Sequence, residues 1–164
     1  MQPHLARNEV PTEKSTLQNM IRIKRTYEPR ARGDGRRILV ERLWPRGMKK
    51  ESLQAQAWSK AVAPSTSLRK WFGHRPERWP EFRRRYRNEL RANEAAWSPI
   101  LEASKRGTVT LLYSAHDVEH NGAVVLREYL TEHGRVAHAK AKRAKAPSSR
   151  TTAITETRRI RSAT

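Results

Sequence analysis

Apolar and polar positions change period several times along this chain, and each change marks an element. Ile21-Arg22-Ile23-Lys24-Arg25 alternates apolar with basic residues, the period of a strand with one covered face. Arg37-Ile38-Leu39-Val40 has strand character too, after a connection built from the turn-forming residues Glu28-Pro29 and Gly33-Asp34-Gly35. Thr108-Val109-Thr110-Leu111-Leu112-Tyr113 is β-branched, aromatic and largely apolar, which predicts a central strand in a sheet covered on both faces. From Pro80 the period becomes helical: Phe82, Tyr86, Leu90 and Trp97 form one stripe, which Trp79 extends backwards. Glu81 and Glu89 on that helix are placed to pair with Arg85. Pro64-Ser65-Thr66-Ser67 predicts a hydroxyl-capped helix start before Leu68-Arg69-Lys70-Trp71-Phe72, with Gly73 as the stop. Ser98-Pro99 predicts another helix start, running to about Lys105, and Val125, Leu126, Tyr129 and Leu130 define a last helix. Ser52 to Trp58 alternates but is rich in helix formers, so helix and strand both fit.

Strands alternating with helices predict an α/β fold: a small, mostly parallel sheet flanked by helices, in a single domain with disordered termini. The domain is expected at residues 20–133, between a disordered extension (1–19) and a disordered basic tail (134–164). Met20 stands directly before the first strand and reads as an alternative start of translation. The chain has no cysteine, which excludes disulfides and thiolate metal sites. No signal-peptide pattern and no membrane-length apolar run is present. A cytoplasmic protein with no membrane partner is the expectation.

Charge changes the picture of the partner. The net charge is +19 from 35 Lys and Arg against 16 Asp and Glu. Residues 134–164 carry +8 of it and residues 21–133 carry +11, so the domain is basic in its own right. A field of this sign attracts polyanions, nucleic acid first among them. On the helix after Pro80, Arg84, Arg87 and Arg91 lie off the apolar stripe and read as a solvated face or as a phosphate-tracking stripe; in the tail, Lys140, Lys142, Arg143 and Lys145 add to the same field.

Candidate chemistry gathers in two loops that each follow a strand. In Leu39-Val40-Glu41-Arg42-Leu43-Trp44-Pro45-Arg46-Gly47, two arginines flank a tryptophan, and Pro45 and Gly47 turn the chain. Ser114-Ala115-His116-Asp117-Val118-Glu119-His120-Asn121 follows the last strand and leads into a helix. Parallel neighbouring strands would bring both loops to one crevice. The guanidinium forks suit an anion, and Trp44 offers a face for stacking a base. The loop also reads as plain solvated charge with Trp44 packed over the core. No glycine-rich nucleotide loop occurs, and no GxSxG turn frames Ser114, which reads as an anion ligand or a helix cap. Asp34, Glu41 and Asp117 are candidate general bases among which the sequence does not choose. HDVEH lacks the HExxH order of zinc hydrolases, so no metal and no cofactor is assigned.

The ordered series IRIKRTYEP, LVERLWPRG, WSKAVAPSTSLRKWFGH, FRRRYRNEL and TLLYSAHDVEHNGAVVLREYL resembles the DUF488 family, in its YeaO-like branch, over about residues 20–132. The resemblance implies a small bacterial-type α/β domain and no reaction. It points to Arg42, Trp44, Pro45, Arg46, Gly47, Ser65, Arg69, Tyr86, Ser114 and Asn121, and it gives His116 no role common to the group. The site expected on both grounds is an anion crevice of Arg42, Trp44, Arg46, Arg69, Ser114 and Asn121. Its occupant would be nucleic acid or a nucleotide-like anion. An enzyme acting on a phosphorylated or nucleotide-like small molecule, and a small partner-binding protein with incidental charge, are the alternatives.

Overall fold

In the computed structural model, residues 21–145 are described. Strands β1 (Ile21–Arg25), β2 (Arg36–Leu39), β3 (Ala57–Trp58) and β4 (Val109–Tyr113) form one sheet in the order β1-β4-β2-β3. Every pairing is parallel, with Leu111 of β4 opposite both Ile23 and Ile38. The last strand in sequence is central, as its apolar run predicted, and all five of its residues are buried.

The sheet's two faces are covered unequally. Ile21, Ile38, Val40, Val109, Leu111 and Tyr113 join a large core with residues of α2 (Thr66–Phe72), α3 (Trp79–Ala92), α4 (Glu94–Ser104) and α5 (Gly122–Lys145). On the other face Leu39 and Leu112 meet Leu53 of the one-turn helix α1 (Lys50–Leu53), with Trp44, Met48 and Ala55 partly buried against them. The ambiguous stretch from Ser52 to Trp58 therefore holds parts of both elements, the end of a helical turn that begins at Lys50 and then the two-residue edge strand β3.

Local signals carry much of the chain's path. Ser65 caps α2, its Oγ accepting the Leu68 N–H at 3.2 Å, and Gly73 ends the helix at φ 54°. In α3, Phe82, Tyr86 and Leu90 face the core while Arg84 and Arg91 face solvent. The Tyr86 hydroxyl donates to the Val62 carbonyl at 2.7 Å, which satisfies a phenol that is only 1% exposed. Leu90→Ala should cost about 2–5 kcal/mol, as large-to-small core changes do. Arg91→Ala should stay within about 0.5 kcal/mol in the same denaturation series. Equal losses would show that this face assignment is mistaken.

Three expectations change. Trp97 belongs to α4, beyond a break at Asn93, and Pro99 lies inside that helix instead of opening it. A proline this near the first turn removes a single helical hydrogen bond. Glu89 does not pair with Arg85; its carboxylate accepts from the Ser65 N–H at 2.8 Å and the Ser65 hydroxyl at 2.5 Å, tying α3 to the start of α2. Finally, α5 runs past Gly134 to Lys145, so the boundary drawn at Gly134 falls inside a helix. Gly134 is buried, and a Cβ there would lie 3.3 Å from Leu101 Cδ1, so this glycine serves close helix packing and not a stop. The extension (1–19) and residues 146–164 of the tail lie outside the described residues.

Candidate functional site

Because β2 and β4 are parallel neighbours, their carboxyl ends reach the same edge of the sheet. The ladder continues one step further, with the Val40 N–H donating to the Leu112 carbonyl at 3.1 Å. Beyond that step the two loops face a cavity of about 320 Å³. Arg42, Trp44, Arg46, Arg69, Ser114 and Asn121 all line it. Val40, Phe72, Phe82 and Ala123 supply apolar walls, and Glu41 and His74 complete the polar lining.

The six residues are not equivalent. Arg42 donates through Nε to the Pro64 carbonyl at 3.1 Å and through Nη2 to the Ala63 carbonyl at 3.2 Å, so much of its fork is used in bracing the wall. Asn121 is buried and caps α5: its Oδ1 accepts the Val124 N–H at 3.2 Å, and its Nδ2 donates to the Asp117 carbonyl at 2.9 Å. Trp44 is half-buried, donates through Nε1 to the Met48 carbonyl, and meets Trp58 edge-to-face at 5.2 Å between centroids. Ser114 gives its backbone N–H to Glu41 Oε1 at 2.9 Å. Arg46 and Arg69 are exposed, and among the described residues neither guanidinium has a hydrogen bond or ion pair.

The arginines of α3 have partners inside the molecule. Arg84 pairs with Glu81 through two bonds of 2.8 and 2.7 Å, and Arg85 joins the same carboxylate at 2.6 Å. Together these lower the Glu81 pKa from 4.5 to about 2, the hydrogen bond from Arg84 contributing most. Arg87 pairs with Glu132 of α5 and lies over the Tyr129 ring, while Arg91 donates to Asn88 Oδ1 at 2.9 Å. Arg84 and Arg87 are thus held in ion pairs within the molecule, while the exposed Arg91 meets the Asn88 amide oxygen. Lys140, Lys142, Arg143 and Lys145 lie on the last turns of α5, with Lys140 and Arg143 exposed.

The three candidate bases separate. Asp117 accepts the Glu119 and His120 N–H groups at 2.8 and 2.9 Å and pairs with His120 Nδ1 at 2.8 Å, so it organises its own loop. These contacts, the backbone bond from His120 foremost, hold its carboxyl below the usual range. His120 meets Trp79 edge-to-face, and no cluster of three metal-ligating side chains occurs among the described residues. Asp34 is buried away from the cavity with Arg37 and Lys24, and only Glu41 lines the crevice.

Sequence reasoning did not find two features. His74, at φ 56° just after the α2 stop, lines the cavity. Arg37 is 1% exposed within β2, a buried cation whose position on the same strand face as Leu39 was a legible signal.

A family model described as "Inactive DUF488-N3 subclade" matches residues 20–151. The chain belongs to that DUF488 family. It is similar to "Uncharacterized protein YeaO" of Escherichia coli (strain K12), with 43% identity over 110 residues that span 67% of this chain and 96% of that protein. It is also similar to "Uncharacterized protein Rv3073c" of Mycobacterium tuberculosis (strain ATCC 25618 / H37Rv) and "Uncharacterized protein Mb3100c" of Mycobacterium bovis (strain ATCC BAA-935 / AF2122/97). Each is 39% identical over 110 residues, which span 67% of this chain and 92% of the relative. The residues 20–151 matched by the family model span the β1–α5 domain, where the crevice lies. No solved structure matches.

Proposed function

We propose that this DUF488 domain is a non-catalytic binding module whose crevice holds a nucleotide-like anion, free or as part of a nucleic acid. The supporting observation is the convergence of two strand-end loops on one cavity lined by Arg46 and Arg69, whose guanidiniums have no protein partner among the described residues. Exposed arginine forks beside a helix start suit a phosphate. The cavity holds no nucleophile framed by a base, and the matching subclade is itself described as inactive. Lys140 and Arg143, with the rest of the basic tail, would add long-range attraction for an anion. No helix among the described residues is long and apolar enough to cross a membrane, and a cytoplasmic site of action is part of this reading.

Native mass spectrometry of the purified chain should reveal a phosphate-bearing companion. Arg46→Ala should weaken its binding about tenfold or more, the scale of a lost charge-assisted hydrogen bond. Arg46 is exposed, so unfolding free energy should move by no more than about 0.5 kcal/mol. Unchanged affinity in this variant would return Arg46 to surface charge and sink the proposal.

A further inference from the structure

Glu41 is the one carboxylate lining a cavity otherwise furnished with three arginines and a histidine. Its Oε1 accepts the Ser114 N–H at 2.9 Å, and among the described residues its Oε2 accepts no hydrogen bond. A carboxylate repels a phosphate placed beside it and can only accept hydrogen bonds. It therefore works against a bare phosphate or a continuous phosphodiester, and it rewards a ligand that brings its own O–H donors.

Two further observations limit the size of that ligand. The cavity volume of about 320 Å³ lies at the small end of the range for small-molecule pockets. Of the α3 arginines, Arg83, Arg84, Arg85 and Arg87 are paired with Glu128, Glu81 and Glu132, and none of the α3 arginines lines the cavity, so they do not extend it into a track along a polymer.

We propose that the crevice takes a phosphate monoester on a polyhydroxylated carbon skeleton, the shared chemistry of sugar phosphates and nucleoside monophosphates. Arg46 and Arg69 hold the phosphate, Glu41 Oε2 accepts from the hydroxyls, and Val40, Phe72 and Phe82 cover the carbon skeleton. This rests on the anion-binding reading above and narrows it from nucleic acid to a small molecule. Glu41 is then the residue that sets specificity.

Calorimetric titration of the full chain tests this with inorganic phosphate, ribose 5-phosphate, adenosine 5′-monophosphate and single-stranded oligothymidylate. The sugar-bearing monoesters should bind about tenfold or more tightly than inorganic phosphate. A further gain for the nucleotide assigns the base to the apolar walls; equal affinity for both assigns the sugar phosphate. Glu41→Gln keeps an oxygen for the Ser114 N–H and places an amide NH₂ in the pocket where Oε2 stood. It should weaken the sugar-bearing ligands about tenfold while inorganic phosphate binds as well or better. If Glu41→Gln tightens every phosphate ligand alike, Glu41 merely repels charge: the specificity role falls and the anion site stands. Tightest binding of the oligothymidylate, indifferent to Glu41, would hand the site to a polymer. If Arg46→Ala changes none of the titrations, or no probe binds, the anion site itself is overturned.

Discussion

Replacing Gly35 by alanine is expected to remove about 3 kcal/mol or more of folding stability, enough to threaten a domain whose whole margin is about 5–15 kcal/mol. Gly35 sits at φ 60° and ψ −133°, a region that side chains with a Cβ rarely enter. Its Cα also lies against the residue that leads into β4: an added Cβ would fall on the Thr108 carbonyl oxygen and 2.8 Å from the carbonyl carbon. That same oxygen accepts the Arg36 N–H at 2.8 Å, the bond that opens the β2–β4 pairing. Relief of the clash must therefore move the central ladder itself. Gly47→Ala is the control, because Gly47 has φ 73° but nothing within 4 Å of an added Cβ. It should show only the conformational penalty, about 1 kcal/mol. Urea denaturation of both variants decides the matter, and losses of the same size would show that the contact with Thr108 is not a constraint.

The second large effect concerns the charges buried on either side of that glycine. Arg37 donates to Asp34 and, at 3.1 Å, to the Leu53 carbonyl, while its Nε has no partner among the described residues. Lys24 reaches the same carboxylate at 2.9 and 3.1 Å, and the Ala31 N–H adds a bond of 3.1 Å. Asp34→Asn leaves Arg37 charged, since a guanidinium does not shed its proton, and should cost about 3–5 kcal/mol. Arg37→Met should cost less, because Asp34 keeps Lys24 and Ala31. Combining the two should recover part of the loss of Asp34→Asn alone. Equal costs for the single variants, simply additive in the double, would contradict this asymmetry.

The same cluster predicts the acid limb of stability. Burial alone raises the Asp34 pKa, but hydrogen bonds from Lys24, Ala31 and Arg37 outweigh it and leave the carboxyl below its ordinary value. A lowered folded-state pKa means that the unfolded chain binds the proton more readily. The stabilisation from Asp34 is therefore complete above the unfolded pKa of about 3.9 and is lost as pH falls through the lower, folded value. Asp34→Asn should flatten that part of the pH–stability curve.

Much of the fold was legible along the chain because it depends on local physics. The apolar run of β4, the Ser65 cap, the Gly73 stop and the Phe82-Tyr86-Leu90 stripe are properties of neighbouring residues, and each appears where its pattern put it. The two strand-end loops were legible as chemistry for the same reason, since arginines beside Trp44 and Pro45 serve no core. Parallel β2 and β4 then bring those loops to one cavity.

What the sequence did not determine is how each polar group is used, because that depends on partners far along the chain. Arg42 and Arg46 are alike on paper, yet the Arg42 guanidinium is committed to carbonyls about twenty residues away, and the Arg46 guanidinium has no partner among the described residues. Arg87 reads as surface charge until α5 presents Glu132 to it, and Glu89 reads as a helix pair for Arg85 until α2 presents Ser65. Gly134 stands where the basic tail was expected to begin, but the helix runs through it and packs there against Leu101. Periodicity tells which side of an element is buried; only tertiary packing decides what each donor and acceptor meets there. A buried polar group must find a partner wherever the fold supplies one.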